Sequence, residues 1–175
     1  MYQSLLPTGV ERRRRPRFGV ALPVLRFEVP GVQLCLPLDD VDKVLPVAAL
    51  EDVSDGPDYL LGMLDFGGEA VPTLDLGLRL GRPGFEYALD TPMLLCTHHG
   101  RRCALVVQLV CGVDQVDNGR LRRVDGVPHE RRDPFSTSFD EGGHPVFMLD
   151  IESLCDGLQV DRLIAPRIDA EVAST

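Results

Sequence analysis

The sequence predicts an all-β protein made of short strands closed into small barrels, and three observations carry that expectation. Apolar side chains recur at every second position in run after run, the period of a half-buried strand. Glycine- or proline-containing turns punctuate those runs at short intervals. Helical periodicity is confined to two brief stretches, near residues 75–81 and 150–155, too little to cover a parallel α/β sheet.

In chain order, residues 1–20 mix Pro, Gly and Arg without period and read as a flexible basic leader. From Val24, the residues Leu25, Phe27 and Val29 alternate with Arg26 and Glu28, giving a first strand. Pro30-Gly31 supplies a turn, because proline presets φ at one central position and glycine accepts positive φ at the next. In the strand that follows, Val32, Leu34, Leu36 and Leu38 share one face, and Gln33, Cys35 and Pro37 the other. Residues 59–66 and 69–75 form a second hairpin about Gly67-Gly68, a pair suited to the positive φ angles of a two-residue turn. Pro72 cannot donate a ladder hydrogen bond, so an edge or a bulge is expected there. Residues 75–81 make one or two helical turns, with Asp75 as N-cap and Gly81 at the end. A Gly/Pro-rich loop leads to Pro92.

The second half repeats the pattern without repeating the sequence. Residues 93–97 and 103–110 are apolar runs joined through His98-His99-Gly100-Arg101, and residues 113–116 continue the sheet. Residues 118–145 are polar and irregular. Residues 144–149 are a last strand, and Asp150 caps a short helix over residues 150–155.

Composition narrows the function. The chain has 175 residues, 44% hydrophobic and 26% charged, close to the soluble globular average. No apolar run approaches the roughly 18 residues that cross a bilayer, and no secretory signal pattern opens the chain, so a cytoplasmic address is expected. The net charge is −9, although Arg12, Arg13, Arg14, Arg15 and Arg17 cluster in the leader. The remaining body is therefore strongly acidic and should repel nucleic acid and anionic membrane, leaving proteins as expected partners. Cys35, Cys96, Cys103, Cys111 and Cys155 show no C-x-x-C pair or metal-ligand rhythm and read as buried, reduced thiols. Neither a metal nor a cofactor is expected.

The order of segments resembles the CheW-like family of chemotaxis coupling proteins. Three stretches carry the resemblance. Residues 27–44, FEVPGVQLCLPLDDVDKV, are similar to the family's opening hairpin and V-x-E-V segment. Residues 61–76, LGMLDFGGEAVPTLDL, follow its G-x-x-N-x-R-G-x-x-x-P-x-x-D-L pattern. Residues 105–113, LVVQLVCGV, echo its V-D-x-V strand, with residues 146–152, VFMLDIE, as the closing strand and helix. The resemblance implies two packed five-stranded SH3-like barrels about a hydrophobic seam. It places the leader at residues 1–20 and the domain at 21–157. One barrel then spans about 38–91 plus the closing segment, the other 92–140, and a tail covers 158–175.

It also implies a non-catalytic adaptor. Such proteins hold the cytoplasmic tip of a methyl-accepting chemoreceptor in the groove between barrels and bind a CheA-type histidine kinase, in arrays at membrane-bound receptors without inserting into the membrane. By match to family positions, the receptor groove comprises Val41, Lys43, Leu64, Asp65, Phe66, Gly67 and Val113, and the kinase-facing surface Met93 and Leu95. Four positions depart from the family. Its V-x-E-V glutamate is Lys43, its asparagine and arginine are Asp65 and Gly67, and its V-D-x-V aspartate is Gln108. Lys43 and Asp65 are expected to pair, shifting specificity toward a divergent receptor or kinase.

Three rival readings compete with the adaptor. An enzyme would need Cys96 or Cys103 to meet His98 or His99, but successive strand residues point to opposite faces, which favours exposed turn histidines. A nucleic-acid-binding barrel would need basic and aromatic residues interleaved on a body that is instead acidic. A decoy scaffold of an alternative surface-sensing or pilus-type chemosensory pathway would share every feature of the adaptor.

Overall fold

The computed structural model describes residues 19–124, 134–156 and 158. The arginine-rich leader expected over residues 1–20 and the tail after residue 158 lie outside those residues, apart from Gly19 and Val20. The chain forms β1 (Ala21–Val29), β2 (Val32–Pro37), a 3-10 turn (Leu38–Asp40), β3 (Val41–Pro46), β4 (Leu60–Phe66), β5 (Glu69–Asp75) and α1 (Leu76–Arg79). It continues with β6 (Pro92–His98), β7 (Arg101–Val106), β8 (Leu109–Asp117), β9 (Arg122–Arg123), β10 (Phe135–Glu141), β11 (His144–Leu149) and α2 (Ile151–Cys155).

The strands make two sheets. The first has the order β8-β1-β2-β11-β10-β9 and the second β3-β6-β7-β5-β4. The protein is therefore all-β, as expected, with five strands in one sheet and a sixth, two-residue strand in the other. The hairpin turns follow from glycine: Gly67 and Gly68 take φ of 65° and 85°, so both central residues are left-handed, and no side chain larger than hydrogen sits there without strain. The second sheet curls enough to bring side chains of its two edge strands together, with the Lys43 ammonium of β3 5.5 Å from the centre of the Phe66 ring at the end of β4.

Alternation sorts the side chains into three cores. On β6, Leu94 and Cys96 face a central seam while Met93 and Leu95 face the interior of the second sheet. On β2, Leu34 and Leu36 join the same seam while Cys35 faces the interior of the first sheet. The seam is the largest cluster, drawing Phe27 and Leu36 from one sheet, Leu74 and Leu105 from the other, and Ile151 and Leu154 from α2. Strands between two cores bury both faces, which is why β6 and β7 read as unbroken apolar runs.

That double burial hides the largest departure from expectation. Residues 103–110 are not one strand: β7 ends at Val106 and β8 begins at Leu109 in the other sheet. The Val107 N–H donates to Pro92 in the second sheet, and the next N–H, of Gln108, donates to Glu28 in the first. The expected division at about residue 91 therefore does not follow the sheets. One sheet is a continuous insert, β3 to β7. The other is assembled from β1, β2 and β8 to β11, with the closing strand β11 parallel to β2.

Smaller departures have local causes. Residues 118–145, expected to be irregular, include β10, whose serine and threonine content hides a strand with only Phe135 and Phe139 as apolar markers. Pro72 lies on β5, between β7 and β4 rather than at an edge, and is tolerated because pairing with β7 starts one residue later at Thr73. Leu158, expected in the tail, is buried against the seam.

Candidate partner-binding surface

The seam reaches solvent along two edge strands. Val41 on β3 lies opposite Cys96, and Val44 opposite Leu94, so both valines stand on the seam face of the second sheet. Val113 on β8 lies opposite Leu25, on the seam face of the first. Val41 is half-buried against the seam, whereas Val44 is 47% and Val113 59% exposed. The 3-10 turn at Leu38–Asp40 packs against both β1 and β6, so the strands next to these two edges are tied to one connection. An aliphatic rim results, on a body whose sequence is acidic.

The other expected groove residues belong to the β4–β5 hairpin. Leu64 is buried in the core of the second sheet and Phe66 is packed against that core. Asp65 is exposed and accepts the Gly68 N–H at 2.9 Å, bracing the turn in which Gly67 is also exposed. The expected Lys43–Asp65 pair is not formed. Lys43 stacks over Phe66 instead, a contact worth about 0.5–1 kcal/mol at an exposed site. Met93 and Leu95 are fully enclosed in the interior of the second sheet and offer no surface, which corrects the kinase-facing assignment. They alternate with seam residues on a central strand and have no solvent side.

Family-pattern positions acquire physical reasons. Gly62 has φ of 150°, and a Cβ there would stand 2.6 Å from the Glu51 carbonyl, which pairs with Met63. Asp75 is buried, accepts the Leu78 N–H at 2.9 Å as the cap of α1, and accepts the Tyr87 hydroxyl. Burial and that bond to Asp75 push the Tyr87 hydroxyl well above its usual range. Asp150 caps α2 as expected, taking the Glu152 N–H and the Ser153 hydroxyl.

The cysteine–histidine alternative does not assemble. Burial pushes the Cys35 thiol up to about 12 and holds Cys96 well above its ordinary value. Cys103 and Cys155 share a hydrogen bond inside the seam, which raises Cys103. Cys111 departs from the expectation of buried thiols: it is exposed on β8. His98 and His99 do not point apart. His99 has φ of 48°, which breaks strand alternation and brings the two rings to 4.0 Å between centres. His98 Nδ1 is bonded to Asp40 at 2.9 Å, and that bond raises the pKa of the ring. An open cavity of about 350 Å³ elsewhere, at the β1–β2 turn, is lined by Glu28, Gln33, Gln108, His144 and Phe147.

The sequence reading missed Val44. Its place in the alternation, three residues after Val41, puts it on the opposite face; the register shift between Val41 and Lys43 returns it to the seam face.

Two sheets paired about an apolar seam define the fold, and comparison with known proteins says to which family it belongs. The CheW-like domain model matches residues 23–159, and the chain belongs to that family, one of non-catalytic scaffolds. The solved structure of the scaffolding protein TtCheW from Thermoanaerobacter tengcongensis is similar in fold, with a TM-score of 0.70 and 16% identity. That match covers 78% of this chain and 93% of the other. No curated protein matches the sequence. Among the described residues, no helix is long and apolar enough to cross a membrane.

Proposed function

We propose that this protein is a chemosensory adaptor that couples the cytoplasmic tip of a methyl-accepting chemoreceptor to a CheA-type histidine kinase, in the cytoplasm at membrane-bound receptor arrays. The observation that carries the proposal is the aliphatic rim formed by Val41, Val44 and Val113, where the seam between the sheets meets solvent. Family membership supports it. An apolar rim suits a helical partner whose own apolar face needs cover, because a few desolvated anchors supply most interface energy. Lys43, Asp65, Phe66 and Gly67 form the flank that sets which receptor is accepted. Their departure from the family pattern favours a receptor or kinase other than the one used in general swimming chemotaxis.

Reconstitution of the cognate receptor fragment and kinase with this protein tests the reading. Receptor-controlled phosphorylation should rise on adding the wild type. Val113→Glu should weaken receptor binding at least tenfold, on the order of 1.4 kcal/mol or more, by placing a charge on a desolvated anchor. The departures at Lys43, Gly67 and Gln108 also fit a decoy of an alternative surface-sensing or pilus-type pathway, and in that case phosphorylation falls. Binding unaffected by Val113→Glu and Val44→Glu together removes the rim from the mechanism.

A further inference from the structure

We propose that His98, His99 and Glu152 form a binding site for one divalent transition-metal ion of the zinc class. His98 closes β6, His99 occupies the left-handed position of the β6–β7 turn, and Glu152 lies in the first turn of α2. One ligand atom from each falls within 4.8 Å of the others. Ligands around a tetrahedral zinc ion at about 2.0–2.1 Å lie roughly 3.3 Å apart. Closing the gap takes a shift of about 1.5 Å, within reach of rotamer changes by the exposed His99 and Glu152 side chains.

The surroundings fit the ion in three respects. Asp40 accepts from His98 Nδ1 at 2.9 Å, which selects the tautomer with a free lone pair on Nε2 and orients the ring, as carboxylates do behind metal-bound histidines. α2 packs against β6 and β7 through the buried Ile151, Leu154 and Cys155, so Glu152 is held near the hairpin without any ion. The neighbouring cation, Arg101, is engaged by Asp156 at 3.2 Å. Two imidazoles with one carboxylate select a zinc-type ion over calcium or magnesium, and three protein ligands leave a fourth position for water. Bound there, the ion clamps the closing helix, which follows the last strand of the first sheet, onto the central hairpin of the second.

The test is titration of zinc alone into metal-stripped full-length protein, read by calorimetry and thermal melting. One ion should bind per chain, and at a hundredfold excess over Kd the melting temperature should rise by roughly 5–10 °C. His99→Gln and Glu152→Gln, both at exposed positions, should keep the metal-free melting temperature and each lower affinity at least tenfold. Cobalt in place of zinc should give a spectrum without thiolate charge transfer. The proposal is overturned by an absence of saturable binding, by undiminished binding in the His99→Gln/Glu152→Gln double variant, or by loss of binding in Cys111→Ser, which would move the ion to the exposed thiol.

Discussion

Asp75 shows how much one side chain settles. Its two carboxylate oxygens end a strand, start a helix and anchor Tyr87 from the following loop, all from a buried position. Asp75→Ala should destabilise by about 2–3 kcal/mol, since it removes a cap and strands a partner hydroxyl. Tyr87→Phe should cost about 1 kcal/mol, and the double variant less than the sum, because both changes remove one shared bond. Urea unfolding midpoints at constant slope check all three. Lys43 acts on a different quantity. Lys43→Glu restores the family's charge and forfeits the stacking on Phe66, so stability should fall by no more than about 1 kcal/mol while receptor preference shifts. A competition between an orthodox chemoreceptor fragment and the cognate one reads that shift, and equal binding by wild type and variant would count against the specificity argument.

Hairpins are the elements that sequence exposes best and strand partners those it exposes least. The Gly67-Gly68 and Pro30-Gly31 turns, the caps at Asp75 and Asp150 and the inward alternation of Leu34 and Leu36 were all legible, because each depends on a few adjacent residues. The crossing at Val107-Gln108 was not, because residues buried on both sides stay apolar through the change of sheet and leave no polar mark. Val41 and Val113 are singled out through the family pattern alone, since alternation does not reveal that both stand on the seam faces of edge strands. Met93 and Leu95 were misassigned to a surface because alternation cannot say whether the second face of a strand meets solvent or another core. Two glycines in β4 and its turn separate packing from conformation. Gly62→Ala should cost about 2–4 kcal/mol, since its Cβ meets a backbone carbonyl that cannot move aside. Gly67→Ala, with open space around it, should cost about 1 kcal/mol for the left-handed backbone only. Thermal melts of the two variants should rank in that order.

A seam shared by both sheets predicts that the molecule unfolds as a single cooperative unit. Its residues come from both sheets and from α2, so neither sheet keeps its largest core without the other. Calorimetry should record one transition, and Leu154→Ala should lower stability by about 2–5 kcal/mol without splitting it. Two separate transitions would show that the sheets melt independently. The nested order of strands also bears on how the chain is made. β3 to β7 all emerge from the ribosome before β8 begins, so the inserted sheet can complete its pairing during synthesis. β2 must wait for β11, more than a hundred positions later, with its parallel edge bare in the meantime. The nascent protein therefore carries an open strand edge from the making of β2 until β11 emerges, and slowed elongation after β7 should leave that edge exposed to holdase chaperones or to pairing with neighbouring polysomal chains.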